Sequence, residues 1–67
     1  MGIGIGSIMA EVAYLMNEKK YVIINELIKS LKNRFNIDDK ETKGAIEMAK
    51  ICGVINIIDN KVYLLKR

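Results

Sequence analysis

The nucleophilic and metal-binding residues of this 67-residue chain are few. It contains no histidine and a single cysteine, Cys52. That composition leaves no zinc site of the ordinary type and no serine–histidine or cysteine–histidine nucleophile. Gly2, Gly4 and Gly6 lack the spacing of a dinucleotide-binding loop and are not followed at the required position by lysine and serine or threonine. We therefore expect a protein that is not an enzyme and that needs no metal and no cofactor.

Lysines are the side chains with the clearest chemistry to offer. The chain has 11 Lys and Arg residues against 8 Asp and Glu residues, a net charge of +3. This excess is mild but favours an acidic partner. Lys40 and Lys43 can pair with phosphate groups, Thr42 can donate a hydrogen bond to a phosphate or a base, and Gly44 lets another backbone approach closely.

A helix over residues 38–52 would position these side chains. Asp38 can accept a backbone N–H of the first turn, and Glu41 can reach back to the N–H of Asp38, as in a capping box. Beyond this cap, we expect one face to be buried. Its residues are Ala45, Ile46, Met48, Ala49 and Cys52. We expect the opposite stripe to face solvent, and it consists of Lys40, Lys43, Gly44, Glu47 and Lys50.

A β-hairpin is predicted over residues 54–65, directly after the helix. Gly53 can adopt the left-handed conformation that ends a helix, and Asp59-Asn60 suits a two-residue hairpin turn. This turn pairs Ile55 with Leu64 and Ile57 with Val62, which places these four apolar residues on one inward face. The outward face mixes polar residues with apolar ones.

The first half of the chain has two further helices and a short strand. Ser7 can cap a helix over residues 8–17, residues 21–24 suit a strand that joins the hairpin, and Asn25 can cap a helix that ends at Asn36. We expect residues 1–6 to form a flexible N-terminal arm and residues 7–67 a single domain. Met9, Ala13 and Tyr14 widen the apolar surface of the first helix, as ordinary core or as the contact of a homodimer.

This order of elements resembles the winged helix-turn-helix superfamily. The resemblance covers residues 7–65 and is carried by element order and by the stretch IINELIKSLKNRFNIDDKETKGAIEMAKICGVINIIDNKVYLL. It implies an α+β fold of three helices with a C-terminal hairpin wing and a short third strand. The richness in Ile, Lys and Asn is similar to that of small proteins of archaea and their viruses.

The resemblance implies a transcriptional regulator that binds double-stranded DNA. In winged-helix DNA binders the third helix lies in the major groove and the wing touches the backbone. The contacts implied for this chain are Lys40, Thr42, Lys43, Gly44, Glu47 and Lys50 on the third helix, Lys29 and Lys32 on the second, and Lys61 on the wing. The chain departs from that pattern because its third helix has no arginine to bind guanine and carries the acids Glu41 and Glu47.

A protein-interaction module is the alternative, because a fold does not determine a function. Such a module would resemble the C-terminal winged-helix domains of archaeal replicative helicases and of ESCRT-III-like division proteins. Its partner would bind a free sheet edge or the outward hairpin face. The residues of that face are Val54, Ile58, Tyr63 and Leu65.

The lone cysteine favours a reducing cytoplasm. The apolar N-terminal run is interrupted by Glu11 and is too short for a membrane span.

Overall fold

Three helices and three strands form the part of the chain that the structure, a computed structural model, describes: residues 3–16 and 18–65. Their bounds are α1 (Ile5–Met16), β1 (Val22–Ile23), α2 (Ile24–Phe35), α3 (Asp39–Ile51), β2 (Ile55–Ile58) and β3 (Lys61–Leu64). The strands form one antiparallel sheet in the order β1-β3-β2. This α+β arrangement confirms the predicted fold class and is consistent with a winged-helix layout.

The helix α3 begins and ends as its cap residues predict. The side chain of Asp38 accepts a hydrogen bond from the Glu41 N–H at 2.8 Å. At the other end Gly53 has φ +80°. Its N–H donates to the Lys50 carbonyl at 3.0 Å, and the Val54 N–H donates to the Ala49 carbonyl at 3.2 Å. These two bonds form a Schellman motif, which satisfies carbonyls that the helix would leave unpaired.

The hairpin β2–β3 has the predicted register. Asp59 and Asn60 both have positive φ, 52° and 65°, as a type I′ turn requires. The turn pairs Ile58 with Lys61, and the inward pairs are those expected from the sequence, Ile57 with Val62 and Ile55 with Leu64. On the other side of β3, Val22 pairs with Val62. The predicted third strand is therefore confirmed, although it is shorter than residues 21–24.

The core lies between the three helices and the inward face of the sheet. Ile8 and Val12 of α1, Leu27 and Leu31 of α2 and Val62 of β3 are fully buried. Each of the three helices contributes apolar residues of one face to this cluster, and half-buried apolar residues pack around it. Burial of these side chains supplies most of the driving force for folding, at about 1.5–3 kcal/mol for each large apolar side chain.

Two helices begin earlier than the sequence predicted. Helix α1 begins at Ile5, so that Ser7 lies in its first turn and does not cap it; Ile5 and Gly6 of the predicted arm belong to the helix. Met1 and Gly2 of that arm lie outside the described residues. Helix α2 begins at Ile24, and Asn25 is not its cap. The Ile24 N–H donates to the Asn60 carbonyl at 2.8 Å, so the hairpin turn satisfies the first of the four N–H groups that a helix leaves unpaired at its start.

The buried face of α3 is rotated relative to the prediction. Its buried residues are Thr42, Ile46 and Ala49, which recur at spacings of four and three residues. Met48 and Cys52 were predicted to be buried, and both are exposed. The correction follows from Thr42, because its hydroxyl donates to the Asp38 carbonyl at 2.7 Å. With its hydrogen bond made locally, this polar side chain can be buried without a large desolvation cost.

Candidate nucleic-acid interface

The outward surface of α3 carries a stripe of charged residues. Lys43, Glu47 and Lys50 follow one another at spacings of four and three residues, so they lie on one line along the helix. All three are exposed, and so is Lys40, one turn before Lys43. We call Lys43, Glu47 and Lys50 the charged stripe. Lys40, Lys43 and Lys50 outnumber the exposed acids Glu41 and Glu47 by one charge, so this side of α3 is only slightly positive. The third exposed acid of α3, Asp39, is paired with Lys32 of α2.

A second stripe, which is apolar, runs beside the charged one. Gly44, Met48 and Ile51 also recur at spacings of four and three residues, and Lys40 precedes Gly44 by one turn. Met48 is 54% exposed and Ile51 is 71% exposed. We call Gly44, Met48 and Ile51 the apolar stripe. Sequence reasoning missed this stripe because it assigned Met48 to the core; the run of Thr42, Ile46 and Ala49 was the signal that could have revealed it.

Gly44 lies in the middle of α3, where nothing inside the protein requires a glycine. A Cβ atom built at this position meets no atom within 4 Å. Glycine in a helix interior destabilises a protein by roughly 0.5–1 kcal/mol relative to alanine. Intramolecular packing therefore gives no reason for Gly44, whereas close approach of another molecule to the α3 backbone would give one.

Thr42 does not belong to this surface, contrary to the sequence-based expectation. Its side chain is fully buried and its hydroxyl is bonded to the Asp38 carbonyl. The residue is therefore part of the packing that orients α3. It cannot reach a phosphate or a base without unfolding the first turn of the helix.

The α2 lysines occupy two different environments. Lys29 is exposed. The Lys32 ammonium lies 2.7 Å from the Asp39 carboxylate in the first turn of α3. Its hydrogen bond and its positive charge lower the pKa of Asp39, and the charge of Lys43 adds to the effect. This ion pair links α2 to the start of α3, and it neutralises the carboxylate of the residue just before Lys40.

Lys61 lies on the outward face of the sheet, beside the hairpin turn. Its ammonium stands 5.1 Å from the centre of the Tyr21 ring. Tyr21 also packs against Tyr63, with ring centres 5.9 Å apart. A cation held over an aromatic face keeps its charge and remains able to bind an anion. The structure therefore places Lys61 on the wing, at the first residue of β3.

The outward hairpin face is less apolar than the sequence suggested. Val54 was predicted to lie on it, yet Val54 is buried, because the Schellman motif turns the residue after Gly53 back toward the helix. Ile58 and Leu65 are 51% and 39% exposed. Along the free edge of β2, the Ile57 N–H is bonded to the side chain of Asn56 at 3.0 Å, which removes a donor that an added strand would use.

The acidic residue of α1, Glu11, is buried, which was not predicted from the sequence. Glu11 of α1 is buried and accepts a hydrogen bond from Ser30 of α2. Its other carboxylate oxygen lies 2.8 Å from Nε of Arg34, and the guanidinium of Arg34 stands 5.5 Å from the centre of the Tyr14 ring. Both oxygens therefore have partners, as a buried carboxylate requires. The cluster joins α1 to α2 and explains why the only charge on α1 does not face solvent.

Comparison with protein-family models, with curated proteins and with solved structures gave no significant match. Within residues 3–16 and 18–65, no cluster of three or more His, Cys, Asp or Glu side chains is arranged to hold a metal ion. Over the same residues, every helix is too short or too polar to cross a lipid bilayer.

Proposed function

We propose that this chain is a cytoplasmic winged-helix protein that binds double-stranded DNA as a transcriptional regulator. Helix α3 would enter the major groove, and the β2–β3 hairpin would approach the backbone with Lys61. The observation that carries the proposal is the exposed surface of α3, where Lys40, Lys43 and Lys50 flank a glycine that internal packing does not need. Lysines beside a groove-sized helix can neutralise phosphates on either side of it.

The geometry of α3 supports the same proposal. The helix has 13 residues, which corresponds to a rod of roughly 20 Å at 1.5 Å per residue. Its buried side is limited to one face, so the opposite side is free to enter a groove about 12 Å wide. The Lys32–Asp39 ion pair links the N-terminal turn of this helix to α2, and the side chain of Asp38 caps the same turn.

Substitution of individual lysines tests the proposal. Lys43→Ala and Lys50→Ala should each weaken binding to a random-sequence duplex at low salt, because each removes a phosphate contact. Lys20→Ala is the matched control: Lys20 is exposed in the turn between α1 and β1, outside the proposed surface, and its loss should leave the affinity close to that of the wild type. Equal affinities for all four proteins would refute the assignment of α3.

We further propose that the protein forms a homodimer through the outward face of α1. Tyr14 is 70% exposed and Ala13 is exposed beside it. Tyr14 and Ala10, together with the Glu11–Arg34 ion pair, line a shallow concavity of about 450 Å³ between α1 and α2. A projecting ring and a concavity share one face, so two copies can meet about a two-fold axis, and the two charges in the concavity are already paired with each other. Asn17, at the end of the predicted contact, lies outside the described residues.

Sedimentation mass measures this dimer directly. Ala13→Glu places a carboxylate on the outward face of α1 and, near a two-fold axis, brings two like charges together. We expect the variant to sediment as a monomer under conditions in which the wild type is a dimer. Thermal unfolding provides the control for folding. A wild-type mass equal to that of one chain would eliminate the dimer proposal and leave DNA binding by a single domain.

A second candidate function, binding of a protein partner, is favoured by the exposure of Ile58 and Leu65 on the sheet. Because Asn56 occupies an edge donor of β2, the outward face is a better candidate for such contact than the edge. On this hypothesis, DNA binding is weak and Ile58→Lys abolishes capture of the partner, whereas Glu18→Lys, an exposed position in the turn between α1 and β1, has a smaller effect. Capture that survives Ile58→Lys would argue against the face.

A further inference from the structure

The apolar stripe of α3 bears on which base sequence the proposed DNA-binding surface would recognise. Met48 and Ile51 are among the most exposed large apolar side chains of the described residues, and they are neighbours on one helix. The core does not require apolar residues at these two positions, because the buried face of α3 is formed by Thr42, Ile46 and Ala49. The stripe lies beside the lysines, on the part of α3 that would face the groove.

The side chains of α3 that could contact base edges belong to few types. Between residues 39 and 51 the sequence has no arginine, asparagine or glutamine, so lysine is the one residue type there that can bind a purine through two hydrogen bonds. The exposed Glu41 and Glu47 can each accept from the amino group of cytosine. The group of the major groove that an apolar side chain recognises is the 5-methyl group of thymine.

We infer that α3 recognises thymine methyl groups, with Met48 and Ile51 as the contact residues. The inference rests on the proposed DNA binding and names the chemistry that this surface would select. Gly44 continues the same stripe by one turn and leaves space for the DNA to approach. Lys40, Lys43 and Lys50 provide phosphate contacts beside the stripe, which supply affinity without distinguishing sequences. Burial of one methyl group is worth about 0.8 kcal/mol, or roughly fourfold in affinity.

Replacement of thymidine by deoxyuridine tests the inference, because it removes the methyl group and leaves the Watson–Crick edge and the phosphates unchanged. Two fluorescently labelled duplexes are compared at low salt, one of alternating A·T pairs and the same duplex with deoxyuridine for thymidine. The wild type should bind the thymidine duplex more tightly, by about fourfold for each methyl group contacted.

Variants assign this preference to residues. Met48→Ala and Ile51→Ala should bring the ratio of the two affinities toward one. Lys43→Ala is the matched control, since it should weaken binding to both duplexes equally and leave the ratio unchanged. Because all three side chains are exposed, thermal unfolding should show that each variant folds.

The possible outcomes separate the inference from the function on which it rests. Equal wild-type affinity for the two duplexes overturns methyl recognition and leaves DNA binding intact. A ratio that persists in both the Met48→Ala and Ile51→Ala variants overturns the assignment to the apolar stripe. Failure to bind either duplex overturns both proposals. A lower sedimentation mass in those variants, with an unchanged affinity ratio, assigns the stripe to a protein interface and also overturns the inference.

Discussion

Gly44 and Gly53 respond differently to the same substitution, although an added Cβ would meet no atom within 4 Å at either position. Gly44 is helical, so Gly44→Ala should raise the free energy of unfolding by roughly 0.5–1 kcal/mol. Gly53 has φ +80°, a conformation that costs an L-residue about 1–2 kcal/mol. Gly53→Ala should therefore lower the free energy of unfolding. Urea denaturation measures both changes.

The Gly44→Ala variant also separates stability from function. We expect it to be more stable than the wild type and to bind DNA less tightly, because the added methyl group stands between α3 and the groove. Loss of affinity in a stabilised protein cannot be attributed to unfolding. An affinity equal to that of the wild type would show that this part of α3 does not approach DNA closely.

Glu11 and Arg34 should behave as a coupled pair. Arg34→Met removes one partner of a buried carboxylate and leaves Ser30 as the other, which should lower the free energy of unfolding by about 1–3 kcal/mol. In the Glu11→Leu/Arg34→Met double variant the buried charge is absent, so the loss should be smaller than the sum of the single losses. Thermal or urea unfolding of the four proteins tests the coupling, and strict additivity would contradict it.

Among the secondary-structure elements, the hairpin was the most predictable. Its apolar alternation and its Asp59-Asn60 turn both specify the same register, and a slip by one residue would expose every inward side chain. The end of α3 at Gly53 was predictable for a similar reason, since it depends on one residue with a positive φ. Where two local sequence signals specify the same structure, tertiary contacts change that structure little.

The starts of α1 and α2 and the buried face of α3 were not predictable in the same way. The α2 start depends on a hydrogen bond from Ile24 to Asn60, a residue that lies far away in the sequence. The face of α3 depends on Thr42, whose burial is possible because its hydroxyl bonds the Asp38 carbonyl. Because the prediction treated Thr42 as an exposed polar residue, it rotated the buried face of α3. The predicted site therefore included Thr42 and omitted Met48 and Ile51.

The Lys32–Asp39 ion pair, at the junction between α2 and α3, should make the stability of the folded protein depend on pH. Asp39 has a lowered pKa because Lys32 donates a hydrogen bond to it and attracts its negative charge. A carboxyl group with a lowered pKa stabilises the folded state above its unfolded pKa, about 3.9 for Asp, and this contribution is lost as the pH falls through the folded value. Lys32→Met should therefore raise the pKa of Asp39 and narrow the difference in stability between neutral and acidic pH.

NMR titration of the Asp39 carboxyl group measures this shift, with Lys29→Met as the control on the same helix. Lys29 is exposed and is not among the residues that lower the pKa of Asp39. The control should leave that titration unchanged. An unchanged Asp39 titration in the Lys32→Met variant would mean that the ion pair does not persist in solution.

At the scale of the whole molecule, a thin core supports a surface that is only mildly basic. With a net charge of +3, general attraction to a polyanion is weak, so the affinity for DNA must come from lysines that lie close together on one surface. Lys40, Lys43 and Lys50 lie on α3, which is positioned by the Asp38 cap, the Lys32–Asp39 ion pair and the hairpin. If the proposal is right, these three lysines dominate binding, although the chain has others.

The dependence of DNA affinity on salt tests this account most directly. For a random duplex, the logarithm of the binding constant should fall linearly with the logarithm of the salt concentration, with a slope of about −0.9 for each phosphate contact. The Lys40→Ala/Lys43→Ala/Lys50→Ala variant should therefore have a slope that is less negative by about 2.7. A slope equal to that of the wild type, or no binding by the wild type at low salt, would contradict the account.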